Sequence, residues 1–302
     1  MSRETDVEGE TLLAEFRPAR AVAARWVVVS TTGFFAFAYL FGAVVAAVEG
    51  RPLEPIVVSA SSRPDLLPLV ATLLALVALV VVPHELLHGL FMARYGGRPE
   101  YGVGVSGFLL PYAYARTEGT TYARDEMLAV LLAPFVVITL AGLALLPVLP
   151  VQPIALALAA NAAGSIGDLW MAAVLLRYPS SVRVGERPDG ADGMGIYGPA
   201  DAAGSAFDSP RLAAFSLGAV YALAAVVAGL FALVFASLAF ATGDVVLGDP
   251  DGRWFLFRHE LHRGNREAVV EVGVPAVLAL SAAGGLARVA FSAVRDRLGG
   301  EP

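Results

Sequence analysis

The chain has 302 residues, of which 57% are hydrophobic, and its mean hydropathy of +0.68 is typical of integral membrane proteins. The formal net charge is −6 and all basic residues are arginine without a basic run, so nothing indicates nucleic-acid binding. Cysteine is absent, which excludes disulfides, thiolate metal ligands and a cysteine nucleophile. A metal site would have to use histidine, carboxylate or neutral oxygen and nitrogen donors.

Six apolar stretches predict an all-α polytopic membrane protein with about six transmembrane helices in a single domain, residues 26–295. Residues 1–25 and 296–302 are predicted to be cytoplasmic tails. The predicted spans are 26–48, 66–93, 127–149, 154–176, 212–241 and 268–294. With the N-terminus inside, 15 of the 21 basic residues fall on the inner side, which predicts this orientation in the cell membrane.

The second predicted span contains the sequence His84-Glu85-Leu86-Leu87-His88. Residues four apart share one face of a helix, so the two imidazoles could hold one metal ion. Glu85 could then take a proton from a water activated by that ion. A charged side chain at the centre of a membrane helix costs about 2.5–3.5 kcal/mol on insertion scales, so this polar group predicts a function rather than a tolerated defect.

The fourth predicted span carries an acid whose depth matches that of the histidines. Asp168 lies nine residues before Arg177, and His84 lies ten residues before Arg94. Both spans are predicted to run inward, so at 1.5 Å per residue both side chains lie about 14 Å from the same membrane face. The sequence therefore predicts that they meet.

From this depth match we predict one Zn²⁺ per chain, held by His84, His88 and Asp168, with a water at the fourth position, as in catalytic zinc sites. Asn161 and Ser165 share a helical face with Asp168 at i, i+4 and i+7. They are predicted to bind substrate or to support the site. A simple interhelical hydrogen bond is the alternative for Asn161.

The loop after the second span alternates glycine with valine and continues as Pro-Tyr-Ala-Tyr-Ala. This pattern predicts a small β-hairpin or a re-entrant loop near residues 99–116, with an edge for an extended substrate peptide. An ordered connecting loop is the alternative. The sequence Gly104-Val105-Ser106-Gly107 has the form of a rhomboid serine-protease motif, but no histidine occurs in a later span, so a glycine turn is favoured.

A second histidine pair, in His259-Glu260-Leu261-His262, lies in the polar stretch 242–267. Its spacing is i, i+3 rather than i, i+4. We predict a solvated or interfacial segment here, and a second metal site is the alternative.

These motifs resemble a family of membrane proteins described as "putative zincin peptidase". The resemblance covers roughly residues 80–195. It rests on His84-Glu85-Leu86-Leu87-His88-Gly89, the Pro-Tyr-Ala-Tyr-Ala-Arg loop, Leu132-Ala133-Pro134 and the segment from Asn161 to Asp168. The resemblance implies that His84, His88 and Asp168 are metal ligands and that Glu85 is the catalytic acid and base.

The chain is more distantly similar to site-two proteases, which cleave within membranes. That family has a proline inside the segment corresponding to 161–168 and a glycine after the aspartate. Here Gly164 stands nearest the proline position and Leu169 follows Asp168. The resemblance therefore implies a zinc site more firmly than cleavage within the bilayer.

Together these features predict an integral membrane zinc metallopeptidase that cleaves near the cytoplasmic face, with Glu85 as general base. Its predicted partners are membrane lipid and a membrane-associated protein or peptide substrate, without nucleic acid. The alternative is a non-catalytic binding module with a structural or regulatory metal site. Such sites are usually closed by a fourth protein ligand, and the sequence offers no clear one. A metal-ion transporter is less favoured, because several spans are almost wholly apolar.

Overall fold

The computed structural model describes residues 10–16, 20–50, 56–59, 63–105, 111–146, 151–188, 193–200, 202, 210–240, 244–249, 254–262 and 267–298. Within these ranges the chain is mostly helical, as predicted, and also forms ten strands. The helices are α1 (Arg20–Glu49), α2 (Arg63–Arg94), α3 (Arg124–Leu145), α4 (Val151–Gly164), α5 (Ile166–Leu175), α6 (Pro210–Phe240) and α7 (Val274–Leu298). The strands are β1 (Thr11–Phe16), β2 (Ile56–Ser59), β3 (Pro99–Val105), β4 (Pro111–Thr117), β5 (Tyr122–Ala123), β6 (Arg183–Gly185), β7 (Met194–Gly198), β8 (Val245–Leu247), β9 (Phe257–His262) and β10 (Glu267–Val272).

Several helices are long and apolar enough to cross a membrane, as expected of a membrane protein. In the described part of the chain there are four such segments, or five if the bent pair α4 and α5 forms one span. The four are Trp26–Glu49, Arg124–Leu145, Ala214–Ser237 and Val274–Arg295. The predicted span 66–93 lies within α2, which continues through Pro83. The count of six spans stays a prediction.

The chain divides into two compact units, residues 1–49 with 74–207 and residues 50–73 with 208–302. The first unit contains a four-stranded antiparallel sheet of order β1-β7-β6-β5 and the two-stranded sheet β3-β4. The second contains an antiparallel sheet of order β2-β10-β9-β8. The single-domain description of residues 26–295 stays a prediction.

The first unit has two apolar clusters that hold its helices. One joins α3 and α5 to the four-stranded sheet; its buried members include Val130, Leu131, Leu175, Val182 and Val184. The other joins α1 to α4 through Phe41, Leu158, Ala159 and Ala162. Where apolar surface is removed from water, its burial stabilises a fold by about 25 cal/mol per Å². These clusters fix α3, α4 and α5, on which much of the candidate site is built.

The predicted span 154–176 is bent by 43° between α4 and α5. Ser165 lies at the bend, and both its backbone N–H and its hydroxyl donate to the carbonyl oxygen of Asn161, each at 2.9 Å. A serine that bonds back by four residues, beside a glycine such as Gly164, is a known cause of helix bending. The bend places Asn161 and Asp168 on different helical segments.

Helix α2 ends in a turn that leads into the hairpin. Gly96 has a φ of +94°, a conformation that L side chains rarely adopt. The N–H of Gly97 donates to Met92 and the N–H of Gly96 to Ala93, which is the Schellman pattern of helix ends. Strands β3 and β4 then pair with Tyr101 opposite Ala115. The predicted hairpin is thus confirmed, while residues 106–110, including Ser106 of the rhomboid-like motif, lie outside the described residues.

The all-α prediction missed the remaining strands. β1 lies in the stretch predicted as a tail, β6 and β7 lie in the loop between the fourth and fifth predicted spans, and β8 and β9 lie in the next loop. β10 occupies the predicted start of the last span, which delays α7 to Val274. These strands pair over long sequence distances, as in Thr11 opposite Gly198, and a local periodicity cannot predict such pairs.

Candidate metal centre

The three predicted ligands come together in the first unit. His84 and His88 lie one turn apart on α2, and Asp168 lies in the first turn of α5. Both histidines are buried, and Asp168 is partly buried. Among the residues that the structure describes, these three form a group whose ligand atoms lie close enough together to hold one metal ion.

Their facing atoms form a nearly equilateral triangle. The two Nε2 atoms of His84 and His88 are 3.2 Å apart. The Asp168 Oδ2 atom lies 3.3 Å from the Nε2 of His84 and 3.4 Å from that of His88. A tetrahedral zinc ion with bonds of about 2.0–2.1 Å sets its ligand atoms about 3.3–3.4 Å apart. The donor set and the spacing therefore fit zinc.

The other nitrogen of each histidine is held by a hydrogen bond. His88 Nδ1 lies 2.9 Å from the carbonyl oxygen of Val130, and His84 Nδ1 lies 3.0 Å from Oδ1 of Asn161. The Asn161 amide is itself fixed, because its Nδ2 donates to the carbonyl oxygen of Pro134 at 3.2 Å. Since a carbonyl oxygen can only accept, both Nδ1 atoms carry the proton.

This assignment determines what the triangle presents. With the proton on Nδ1, each neutral imidazole directs the lone pair of its Nε2 toward the other ring. The Asp168 carboxylate adds a third acceptor. When both imidazoles are neutral, the three facing atoms at 3.2–3.4 Å are all acceptors, and a cation at their centre would stabilise them.

Glu85 lies beside this triangle on α2 and is partly buried. Its carboxylate accepts a hydrogen bond from the backbone N–H of Ala115 in β4. The hairpin is therefore joined directly to the segment that carries the histidines. Because Ala115 donates to Glu85, its N–H points away from β3 and toward the open edge of β4, the edge that no strand among the described residues covers.

Glycine 89 allows β3 to approach α2 closely. A Cβ atom built on Gly89 would lie 2.0 Å from the hydroxyl of Tyr101 in β3, which is not sterically allowed. The glycine that follows the second histidine thus has a packing role. Substitution at this position would require the Tyr101 side chain to move away from α2.

The structure also shows where Asn161 and Ser165 lie. Asn161 contacts His84, as a supporting residue would, and also reaches α3. Ser165 is fully buried, and its hydroxyl bonds within its own helix, to the carbonyl oxygen of Asn161. We assign Ser165 to the bend between α4 and α5.

Sequence reasoning missed the backbone groups that complete the site, namely those of Val130, Pro134 and Ala115. A signal existed for the first two, since Leu132-Ala133-Pro134 was one of the motifs that carried the family resemblance. Its contribution was hidden because the groups that act are carbonyl oxygens rather than side chains.

Comparison with known proteins gives one match. Residues 77–183, from α2 to the start of β6, match the sequence model of a family described as "Putative zincin peptidase". No curated protein and no solved structure matches the chain. The predicted similarity to site-two proteases stays a prediction. The matched segment contains the histidines, Glu85, the hairpin and Asp168, and over this segment the chain is similar to the zincin-peptidase family that the motifs predicted.

Proposed function

We propose that the protein is an integral membrane zinc metallopeptidase that hydrolyses peptide bonds near the cytoplasmic membrane face. The observation that supports this most is the triangle of three acceptor atoms from His84, His88 and Asp168, with edges of 3.2–3.4 Å. We propose that these residues hold one Zn²⁺ per chain. When bound, the ion would polarise the substrate carbonyl and lower the pKa of a water molecule.

Glu85 is the proposed general base and acid. It follows His84 directly, so its carboxylate lies beside the ligands without being one of them. In this proposal Glu85 takes a proton from the attacking water and passes it to the leaving amine. The hydrogen bond from Ala115 N–H supports this proposal, because it would hold the carboxylate beside the ligands.

The hairpin supports a proposal for how substrate binds. Alternate residues of a strand point their backbone groups to the same side, so Ala113 faces the open edge together with Ala115. An extended segment of a membrane-associated protein could add to this edge as a strand and place its peptide bond near Glu85. We also propose that membrane lipid surrounds the protein and that the N-terminus is cytoplasmic.

A cleavage assay tests the proposed function. Wild-type protein in proteoliposomes would be mixed with fluorescein-labelled casein and, separately, reconstituted with a reporter protein of one membrane span. Because general acid–base catalysis contributes about 10²–10⁴-fold, Glu85→Gln should lower the rate by that factor with zinc retained. The matched control is Glu260→Gln, which changes the glutamate of the second histidine motif and should leave the rate unchanged.

Two results would contradict this function. Cleavage that persists in Glu85→Gln would remove Glu85 as the base. Bound zinc without cleavage of either substrate would favour the alternative, a binding module with a structural or regulatory metal site.

The edge proposal has its own test. Ala113→Pro removes one N–H from the open edge, and one hydrogen bond contributes about 0.5–1.5 kcal/mol, so kcat/KM should fall by about 2–10-fold without loss of zinc. Ala113→Val keeps the N–H and is the control. Equal kcat/KM in wild type and Ala113→Pro would contradict strand addition at this edge.

A further inference from the structure

Helix α3 contains a proline in its interior, four residues after Val130. In an α-helix each N–H donates to the carbonyl oxygen four residues earlier. Pro134 has no N–H, so the carbonyl oxygen of Val130 lacks its helical donor. A buried carbonyl without a donor is costly, and both residues are buried.

The missing donor is replaced from another helix. The Nδ1–H of His88 donates to this same Val130 oxygen at 2.9 Å. The bond is buried, since His88 is 8% exposed and Val130 only 1%. The proline thus creates an acceptor at the position where a metal-binding histidine needs one.

The same residue acts on the second histidine through its own carbonyl. Pro134 O accepts the Nδ2–H of Asn161 at 3.2 Å, which turns Oδ1 of Asn161 toward His84 Nδ1 at 3.0 Å. One turn of α3, from Val130 to Pro134, is therefore hydrogen-bonded to His88 directly and to His84 through Asn161. We propose that Pro134 is a positioning residue that sets the Nδ1–H tautomer of His88 through Val130 and, through Asn161, that of His84. This inference rests on the zinc site of the proposed function.

The consequence for metal binding follows from the tautomers. A histidine binds zinc through a nitrogen that carries no proton, and the hydrogen bond at its other nitrogen fixes the ring and raises its basicity. In Pro134→Ala the new N–H would bond to Val130 and draw that carbonyl back along the helix axis. The buried bond from His88 Nδ1–H to this oxygen would then be weaker, because the oxygen would be shared with a second donor and turned along the helix. Loss of such outer contacts lowers metal affinity about 10–100-fold.

The experiment measures zinc affinity in detergent by competition with a chelator, on full-length wild type and variants. Pro134→Ala should bind zinc at least about tenfold more weakly than wild type. Pro153→Ala is the matched control, because Pro153 lies in the first turn of α4 and contributes no acceptor to the described site; its affinity should equal that of wild type. The spectrum of the Co²⁺-substituted protein, measured on the same samples, should change in Pro134→Ala alone.

A second variant separates the missing N–H from the shape of the ring. Lactic acid placed at position 134 by nonsense suppression puts an ester there, with neither N–H nor ring. The ester variant should keep the affinity and the Co²⁺ spectrum of wild type. Unchanged affinity in Pro134→Ala, or an ester variant as weak as Pro134→Ala, would overturn the inference.

Zinc binding is measured without peptide, so the two proposals fail separately. Weakened binding in Pro134→Ala together with an inactive wild type would support Pro134 as a positioning residue and reject the peptidase. Equal zinc affinity in wild type and Pro134→Ala, together with cleavage by wild type, would reject Pro134 as a positioning residue and support the peptidase. A wild type without zinc would overturn both.

Discussion

The chain contains two similar short motifs, each with two histidines and a glutamate, and they lie in different types of secondary structure. His84-Glu85-Leu86-Leu87-His88 lies on helix α2, whereas His259-Glu260-Leu261-His262 lies on strand β9. On a helix, positions four apart share a face. On a strand, positions 259 and 262 fall on opposite faces, because their separation is odd. The second motif therefore lacks the shared face on which the first motif depends.

The polar surroundings of the two motifs differ as well. Each described histidine of the first motif has a hydrogen bond at Nδ1 and faces an acid at Nε2. His259 is fully buried between Val245 and Val270, and neither ring nitrogen has a hydrogen-bond partner among the described residues. A histidine pair thus becomes a candidate metal site when the spacing, the secondary structure and the outer hydrogen bonds agree.

The largest expected difference between the two motifs concerns the bound metal. Removal of zinc by a chelator should lower the melting temperature of wild type, since a ligand at about 1,000 times its Kd stabilises by about 4 kcal/mol. His88→Ala should melt at one temperature with or without chelator. His259→Ala should keep the chelator effect. A chelator effect that disappears in His259→Ala would show that the comparison is wrong.

A smaller effect is expected from the hydrogen bond that orients His84. Asn161→Leu removes the acceptor of the Nδ1 proton and should weaken zinc binding about 10–100-fold. Asn161→Asp keeps an acceptor oxygen and should weaken binding less than Asn161→Leu. Chelator competition on purified protein measures both. Equal affinities in wild type and Asn161→Leu would show that Asn161 only joins the helices.

The smallest effect concerns the buried histidine of the second motif. Replacing a buried polar group that lacks partners by an apolar one of similar size is neutral or stabilising. His259→Leu should therefore stabilise the protein by about 1 kcal/mol, raising the melting temperature by about 2–4 °C. Thermal unfolding with chelator present isolates this effect from metal binding. A fall of several degrees would instead show that the ring of His259 has an important partner.

Much of the candidate site could be predicted from the sequence, because it depends on local geometry. The i, i+4 histidines require only a helix, and the matched depths of His84 and Asp168 require only two helices running the same way. The hairpin was predictable from alternating glycine and valine followed by Tyr-Ala repeats. Gly89 leaves room for the Tyr101 side chain where β3 packs against α2.

The rest could not be predicted for identifiable physical reasons. The bend at Ser165 depends on whether a hydroxyl bonds back to its helix, which spacing alone does not decide. The sheet that pairs Thr11 with Gly198 depends on contacts far apart in sequence. The acceptors at Val130 and Pro134 are backbone atoms, so the Leu132-Ala133-Pro134 motif marked this segment without showing which of its atoms act.

The central claim is that His84, His88 and Asp168 hold one zinc ion while Glu85 remains free for catalysis. The most direct measurement is the zinc content of detergent-purified wild type, Glu85→Gln and Asp168→Ala. We predict about one zinc per chain in wild type and Glu85→Gln, as expected for a site with three protein ligands, and a clear loss in Asp168→Ala. Folded wild-type protein without zinc, or full zinc content in Asp168→Ala, would contradict the claim.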